Sequence, residues 1–169
     1  MGPALMEAEW VPLRSFSVFE FGSHIDTYGN LADVRRPGLD LPESLQSKGG
    51  GAGRYFVEDL ECDLLTHNGI IHEVRARFAC LYNGFNLVGS KVAAALHILG
   101  QPQVVWSIPD PEDPVSRIME VPSMGLSMNI PNATGAVYSL ALFGQSVMEA
   151  AGPSAGFTIG YGPAMPRKD

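Results

Sequence analysis

The clearest alternation of apolar and polar positions runs from Arg54 to Tyr82, RYFVEDLECDLLTHNGIIHEVRARFACLY. Its left arm places Phe56, Leu60, Cys62 and Leu64 on one phase and Asp59, Glu61 and Asp63 on the other. Its right arm places Ile70, His72, Val74, Ala76, Phe78 and Cys80 on one phase and Glu73, Arg75 and Arg77 on the other. Two such runs joined at His67-Asn68-Gly69 predict a long β-hairpin with one oily and one charged face. A two-residue Asn68-Gly69 turn would set Cys62 opposite Arg75 and mix those faces, because a slip of one residue reverses every side chain. A three-residue loop with Gly69 left-handed restores the match. Cys62 then opposes Val74, Leu60 opposes Ala76, Glu61 opposes Arg75 and Asp59 opposes Arg77, at the cost of Asp63 opposite Glu73. Cross-strand charge pairs of this kind contribute roughly 0.2–1 kcal/mol each.

The rest of the chain is punctuated by turn formers. Val11–Phe21 predicts one strand with apolar residues on both phases, so both of its faces should find partners. Gly22–Gly53 shows no convincing element: Arg36-Pro37-Gly38 is a turn signal and Lys48–Gly53 is glycine-rich. That tract lacks the Gly-Lys-Ser/Thr ending of a phosphate loop. Asn83-Gly84 is a second turn, Phe85–Val88 begins a strand, and Lys91–Leu99 is ambiguous between helix and strand. Gln103–Ile108 predicts an apolar strand. Three prolines between Pro109 and Pro114 then exclude both helix and ladder. Short strands follow at Ser116–Val121 and Leu126–Ile130, a long one near Ala136–Val147 with Gly144 as a bulge, and a last one at Gly156–Tyr161. No internal repeat is visible. The pattern predicts an all-β fold of about eight antiparallel strands in a jelly-roll-like sandwich or barrel, with at most one or two short helices. It forms a single domain over 1–169, with a flexible stretch at 1–9, the long loop at 22–53 and a tail at 162–169.

Composition narrows the partners. The chain is 46% hydrophobic and only 17% charged, with 19 glycines and 13 prolines. Charge this sparse, against roughly 25% in ordinary soluble domains, suits short strands and surfaces hidden against neighbours. The net charge of −7 argues against direct nucleic-acid binding, which needs a basic surface. The start, MGPALMEAEW, has neither the basic residues nor the apolar run of a signal peptide. No run approaches the roughly 20 apolar residues of a membrane span. Cys62 and Cys80 fall too far apart along one hairpin face for a disulfide, and read as buried small hydrophobes made in a reducing compartment.

Candidate chemistry is sparse. His67 and His72 straddle the turn on different faces in the predicted register, His24 opens the long loop, and His97 lies in the ambiguous stretch. His72-Glu73 lacks the second His two residues away that a cupin metal strand carries, so no metal or other cofactor is expected. No Gly-x-Ser-x-Gly is present, and neither cysteine, flanked by strand residues, has an electropositive helix end nearby to activate it. Asp59, Glu61 and Asp63 alternate as a glycosidase pair would, but their arginine partners make them surface. Met119, Met124, Met128 and Met148 read as core or interface filling. No catalytic residue is assigned.

The eight-strand pattern, the long Gly22–Gly53 insertion, the proline-rich corners and the Gly/Pro-rich tail together resemble the small jelly-roll capsid proteins of icosahedral viruses. The resemblance covers Val11–Tyr161 and rests on architecture. The N-terminal segment is short and acidic where that family commonly carries a basic arm. This directs the likeness to the single vertical β-barrel class of tailless bacteriophages, whose shell overlies an internal membrane or a protein layer. The resemblance implies a self-assembling virion subunit without catalytic activity, made in the host cytoplasm. Its partners would be itself and other capsid proteins, with no direct contact to nucleic acid. Trp10, Tyr28, Leu39, Leu41 and Met165 are the positions expected at contacts between subunits. A phage decoration or adaptor protein shares the same physics. The competing class is a cupin- or lipocalin-like small-molecule barrel, enzyme or binder, with His72, His97 or Tyr82 at its mouth.

Overall fold

Asn68 and Gly69 both take positive φ, 51° and 79°, in the computed structural model of the chain. This is the mirror-image turn that suits the right-handed twist of paired strands. The hairpin therefore has a two-residue turn, with His67 opposite Ile70 and Thr66 opposite Ile71. The face-mixing problem is solved one step later. The register shifts between Leu65 and Thr66, leaving His72 as an extra residue in the right arm, and below it Leu64 faces Val74, Asp63 faces Arg75 and Cys62 faces Ala76. A β-bulge accomplishes this because the added residue restores the parity of side chains on the two strands. The expected three-residue loop is thus corrected, and so are the pairings of Cys62 with Val74 and of Asp63 with Glu73.

The left arm is shorter than expected for a second physical reason. Glu58–Leu60 form one 3-10 turn, closed by Glu61 in the left-handed conformation at φ 47°. A left-handed residue reverses the chain, so Ala52–Val57 becomes a separate strand beside Cys62–His67, with Val57 opposite Cys62. Asp59 and Glu61 leave the ladder and do not oppose Arg77 and Arg75.

The structure describes residues 6–34 and 52–151. Leu39, Leu41, Met165 and the strand expected at Gly156–Tyr161 lie outside them. The strands are β1 (Trp10–Val11), β2 (Ser15–Phe16), β3 (Phe19–Glu20), β4 (Asp33–Val34), β5 (Ala52–Val57), β6 (Cys62–His67), β7 (Ile70–Ala76), β8 (Leu81–Tyr82), β9 (Phe85–Asn86), β10 (Val105–Ser107), β11 (Ser116–Val121), β12 (Leu126–Pro131) and β13 (Ser139–Phe143). Helices α1 (Val92–Ile98) and α2 (Gln145–Ala151) are each two turns, and Ile25–Leu31 is a kinked 3-10 segment. The all-β, antiparallel class is what the strands show. The single strand expected over Val11–Phe21 is instead three two-residue strands, because Leu13 and Ser17 at φ 67° and 55° turn the chain twice. The ambiguous 91–99 stretch is helix. The long strand expected near Ala136–Val147 ends at Phe143. There Gly144 passes so close to Phe21 that a Cβ would lie 2.6 Å from the Phe21 Cβ, and α2 begins.

Eight strands form one sheet in the order β10-β11-β12-β13-β7-β6-β5-β4. This order refines the expectation. Two meanders meet edge to edge, where a jelly roll would have Greek-key crossings. The meanders also match each other, which corrects the absence of a repeat. In both, a six-residue strand, a 3-10 turn, one left-handed residue and a second six-residue strand follow in the same order. Val57 pairs with Cys62 as Val121 pairs with Leu126, and Glu61 corresponds to Gly125. The outer pairings agree too, Asp33 with Phe56 and Val105 with Glu120. Because the equivalent strands β7 and β13 are antiparallel neighbours, an approximate twofold axis passes between them. Over the matched strands and corner only Val57 and Val121 are identical. The two meanders therefore share their pairing and their corner with almost no residue in common.

One face of this sheet is the core. Val57, Cys62, Leu64, Val74, Ala76, Met119, Val121, Leu126, Met128, Leu140 and Leu142 are buried there with Trp10, Phe16, Phe19, Leu87, Ala95 and Leu99 from the covering segments. Met119 and Met128 fill the core, Met124 packs against it, and Met148 packs on the opposite face with Ala141 and Phe143.

Candidate functional site: an arginine-lined cleft on the outer sheet face

The opposite face carries the charge, and the bulge decides which charges meet there. Asp63, Arg75, Ala141, Ser127 and Glu120 form one row across β6, β7, β13, β12 and β11. In the first meander the row holds large charged side chains. At the equivalent places of the second it holds small ones: Ser127 corresponds to Asp63 and Ala141 to Arg75. That size difference across the pseudo-twofold axis leaves a cavity of about 230 Å³. It is lined by Arg54, Asp63, Arg75 and Arg77 from one half and by Ile118, Ser127, Asn129, Ser139 and Ala141 from the other. Three of the six lysines and arginines among the described residues converge here, in a chain of net charge −7.

Asp63 is 2% exposed and accepts a hydrogen bond of 2.9 Å from Arg54 Nη2. The Arg77 guanidinium lies 3.7 Å from the same Asp63 oxygen and is half in solvent. Burying a carboxylate costs several kcal/mol unless cations and donors replace its water, which the two arginines do. Arg75 donates from Nε to Glu73 Oε2 two residues earlier on its own strand and makes no further hydrogen bond among the described residues. Burial pushes the Glu73 carboxyl above its ordinary range, and Arg75 opposes that shift. Glu120 is buried beside the cleft, across the ladder from Ser127.

The residues singled out by sequence fall elsewhere. His67 and His72 line one groove together with Ile70, Ser146, Val147 and Ala150. Their expected placement on different faces is corrected, because the bulge moves His72 to the outer side. Burial lowers the His72 pKa first, and the neighbouring His67 and Arg75 lower it further. His24 caps Asp26 through Nδ1 and packs against Gly69, where a Cβ would lie 2.2 Å from its Nε2. His97 sits in the last turn of α1. No group of three metal-ligating side chains occurs among the described residues. Cys62 and Cys80 are buried free thiols. Burial raises the Cys62 pKa to about 12, and raises that of Cys80 as well. Trp10, one of the expected contact residues, is 2% exposed in the core, 5.5 Å from the Tyr82 ring. Tyr28 packs on Phe19, and its hydroxyl accepts from the Glu20 amide. Among the described residues no helix is long and apolar enough to cross a membrane.

The signal for the cleft was present in the sequence as Arg75 and Arg77 on one strand phase. Arg54 and the small residues Ser127, Ser139 and Ala141 join them only through long-range pairing. Comparison with models of protein families, with characterised proteins and with solved structures found no match.

Proposed function

We propose that this chain is a non-catalytic binding protein that holds a small anionic ligand in the cleft at the centre of its sheet. The observation that carries the reading is the convergence of Arg54, Arg75 and Arg77 on one cavity whose far wall is small and polar. Clustered guanidinium groups repel one another unless anions lie between them. Arg54 is hydrogen-bonded to Asp63 and Arg75 to Glu73, while the Arg77 guanidinium lies 3.7 Å from Asp63 and is half in solvent, where a small anion can reach it. The cleft also lies on a rigid element, since both strands beneath it are interior to the sheet. Amide chemical shifts of the full chain, titrated with small anions, cations and neutral sugars at millimolar concentration, test this. Anions alone should move Asp63, Ala141 and Ser127. Equal response to cations, or none to anions, would refute it.

A second reading, the self-assembling capsid subunit that the strand pattern resembles, is favoured by a different observation. Val105, Trp106, Ile108 and Val115 are exposed at the β10 end of the sheet, as are Phe78 and Tyr138 elsewhere. Exposed apolar residues beside an edge strand support association between copies. The edge is short, and Pro102 and Pro109 flank it, which weakens this reading against the first. Static light scattering decides it: concentration-dependent assemblies support the capsid reading, and a monomer at all concentrations removes it.

A further inference from the structure

Three of the four histidines meet at the turn end of the hairpin, away from the cleft. His67 on β6 is paired with Ile70 on β7, and Ile70 is paired on its other side with His24. Residues directly opposite one another in a ladder point to the same face, so both imidazoles flank Ile70 there. The bulge brings His72 to that side as well, and His67, Ile70 and His72 share the groove bounded by α2. We propose that this cluster is a pH-operated latch: neutral imidazoles hold residues 22–25 against the hairpin tip, and their protonation releases them.

The latch itself is backbone. The Gly22 amide donates to the Ile71 carbonyl at 2.8 Å, the Ile71 amide to the Ser23 carbonyl at 2.9 Å, and the Ile25 amide to the Gly69 carbonyl at 2.8 Å. These bonds continue the pairing of β7 past the point where β13 stops, with Phe143 opposite Glu73. Neutral His24 completes the closure. Its ring occupies the space that a Cβ on Gly69 would take, and its Nδ1 accepts the Asp26 amide at 3.2 Å, which starts the 3-10 segment. An imidazolium has two donors and no acceptor, so protonation removes that cap and turns Nδ1 to the Asp26 carboxylate, 3.5 Å away.

On the other side of Ile70 the charges facing His72 are those of His67 on β6 and Arg75 on β7. Glu73 is taken up by Arg75. From α2, Ser146, Val147 and Ala150 reach the groove, while its Glu149 is held by Gln145 at 2.9 Å. Asp26, 89% exposed, is screened by solvent and offsets little. Each proton gained by His67 and His72 therefore enters beside like charge, in a groove that solvates it poorly. Parting residues 22–25 from the tip moves His24 away from the other two and lets water reach them. The sheet survives this, because β7 keeps β6 and β13. Opening bares Ile70, so acidification is coupled to exposure of an apolar surface at this end.

Hydrogen exchange of the full chain, followed amide by amide at about pH 7.5 and about pH 5.5 and corrected for the intrinsic rate, tests the latch. Protection at Gly22, Ile25 and Ile71 should fall on acidification by about tenfold more than in the β11–β12 ladder, the factor for one pKa unit of differential protonation. The chemical shift of the Asp26 amide should titrate with the same midpoint as the His24 ring. His24→Asn keeps a side-chain acceptor for the Asp26 amide and does not titrate. Combined with His67→Gln and His72→Gln, it should leave the three latch amides protected at both pH values. A loss matched in the β11–β12 ladder, a loss that persists in the triple variant, or no loss at all would overturn the proposal. An Asp26 amide that ignores the His24 titration would overturn it too.

Discussion

Neutralising Asp63 tests the register, the ion pair and the cleft in one measurement. Asp63 is 2% exposed, and its Arg54 partner, 2.9 Å away, is 28% exposed. Two unit charges about 4 Å apart interact by about 4 kcal/mol at an effective dielectric of about 20. Desolvation of both groups offsets roughly half of that, leaving about 2 kcal/mol of coupling. Arg77, at 3.7 Å and 56% exposed, adds only a few tenths because solvent screens it. Asp63→Asn should therefore cost about 2–3 kcal/mol, since Arg54 and Arg77 then lose the carboxylate they share. Arg54→Met should cost about as much by stranding a buried carboxylate. The double variant should cost about 2 kcal/mol less than the sum of the two, read from urea midpoints at constant ionic strength. A coupling below about 0.5 kcal/mol would refute the pairing. A stabilising Asp63→Asn would go further, because it would place Asp63 opposite Glu73, in the register of a three-residue loop.

Three further outcomes follow from named residues. The depressed His72 pKa means that the unfolded chain takes up a proton, near its ordinary 6.5, that the folded chain resists. Stability should be full above that value and fall as pH drops below it, and His72→Gln should flatten the fall between urea melts at about pH 7.5 and about pH 5.5. The buried thiols act at the other end: with Cys62 raised from 9.0 to about 12, stability is full below 9 and declines as pH rises through that window. Neither thiol should react with a disulfide reagent near neutral pH until the chain unfolds, and rapid native labelling would contradict their burial. The repeat predicts opposite effects at its two corners. Glu61→Gly should stabilise by up to about 1 kcal/mol by relieving a left-handed side chain. Gly125→Ala should destabilise by about 1–3 kcal/mol, because its Cβ would meet the Phe143 carbonyl oxygen at 2.6 Å. Thermal or urea melts that show the same sign at both corners would break the equivalence.

Local chemistry alone determined a good deal of this protein. Alternation and turn residues specified an antiparallel all-β chain, the strands at 116–121 and near 126–130, the proline-bounded loop after 108, and a reversal of the chain near 67–69, though not the length of its turn. They also showed that the hairpin needed one residue to restore its parity. Such features depend on a few neighbouring residues, so a short window contains their cause. Where the extra residue went was decided by tertiary structure. A bulge at His72 and a loop at the turn satisfy the same alternation, and they differ only in what the flanking strands then face. The same limit hid the repeat: packing constrains which side of each strand is oily, not which residue supplies the oil, so two meanders with matching pairing share almost no identities. It hid the cleft as well. Arg54 and Arg75 sit on different strands, and Ser127 and Ala141 lie far along the chain in the other meander. Only the edge-to-edge meeting of β7 and β13 sets the arginines of one half against the small residues of the other.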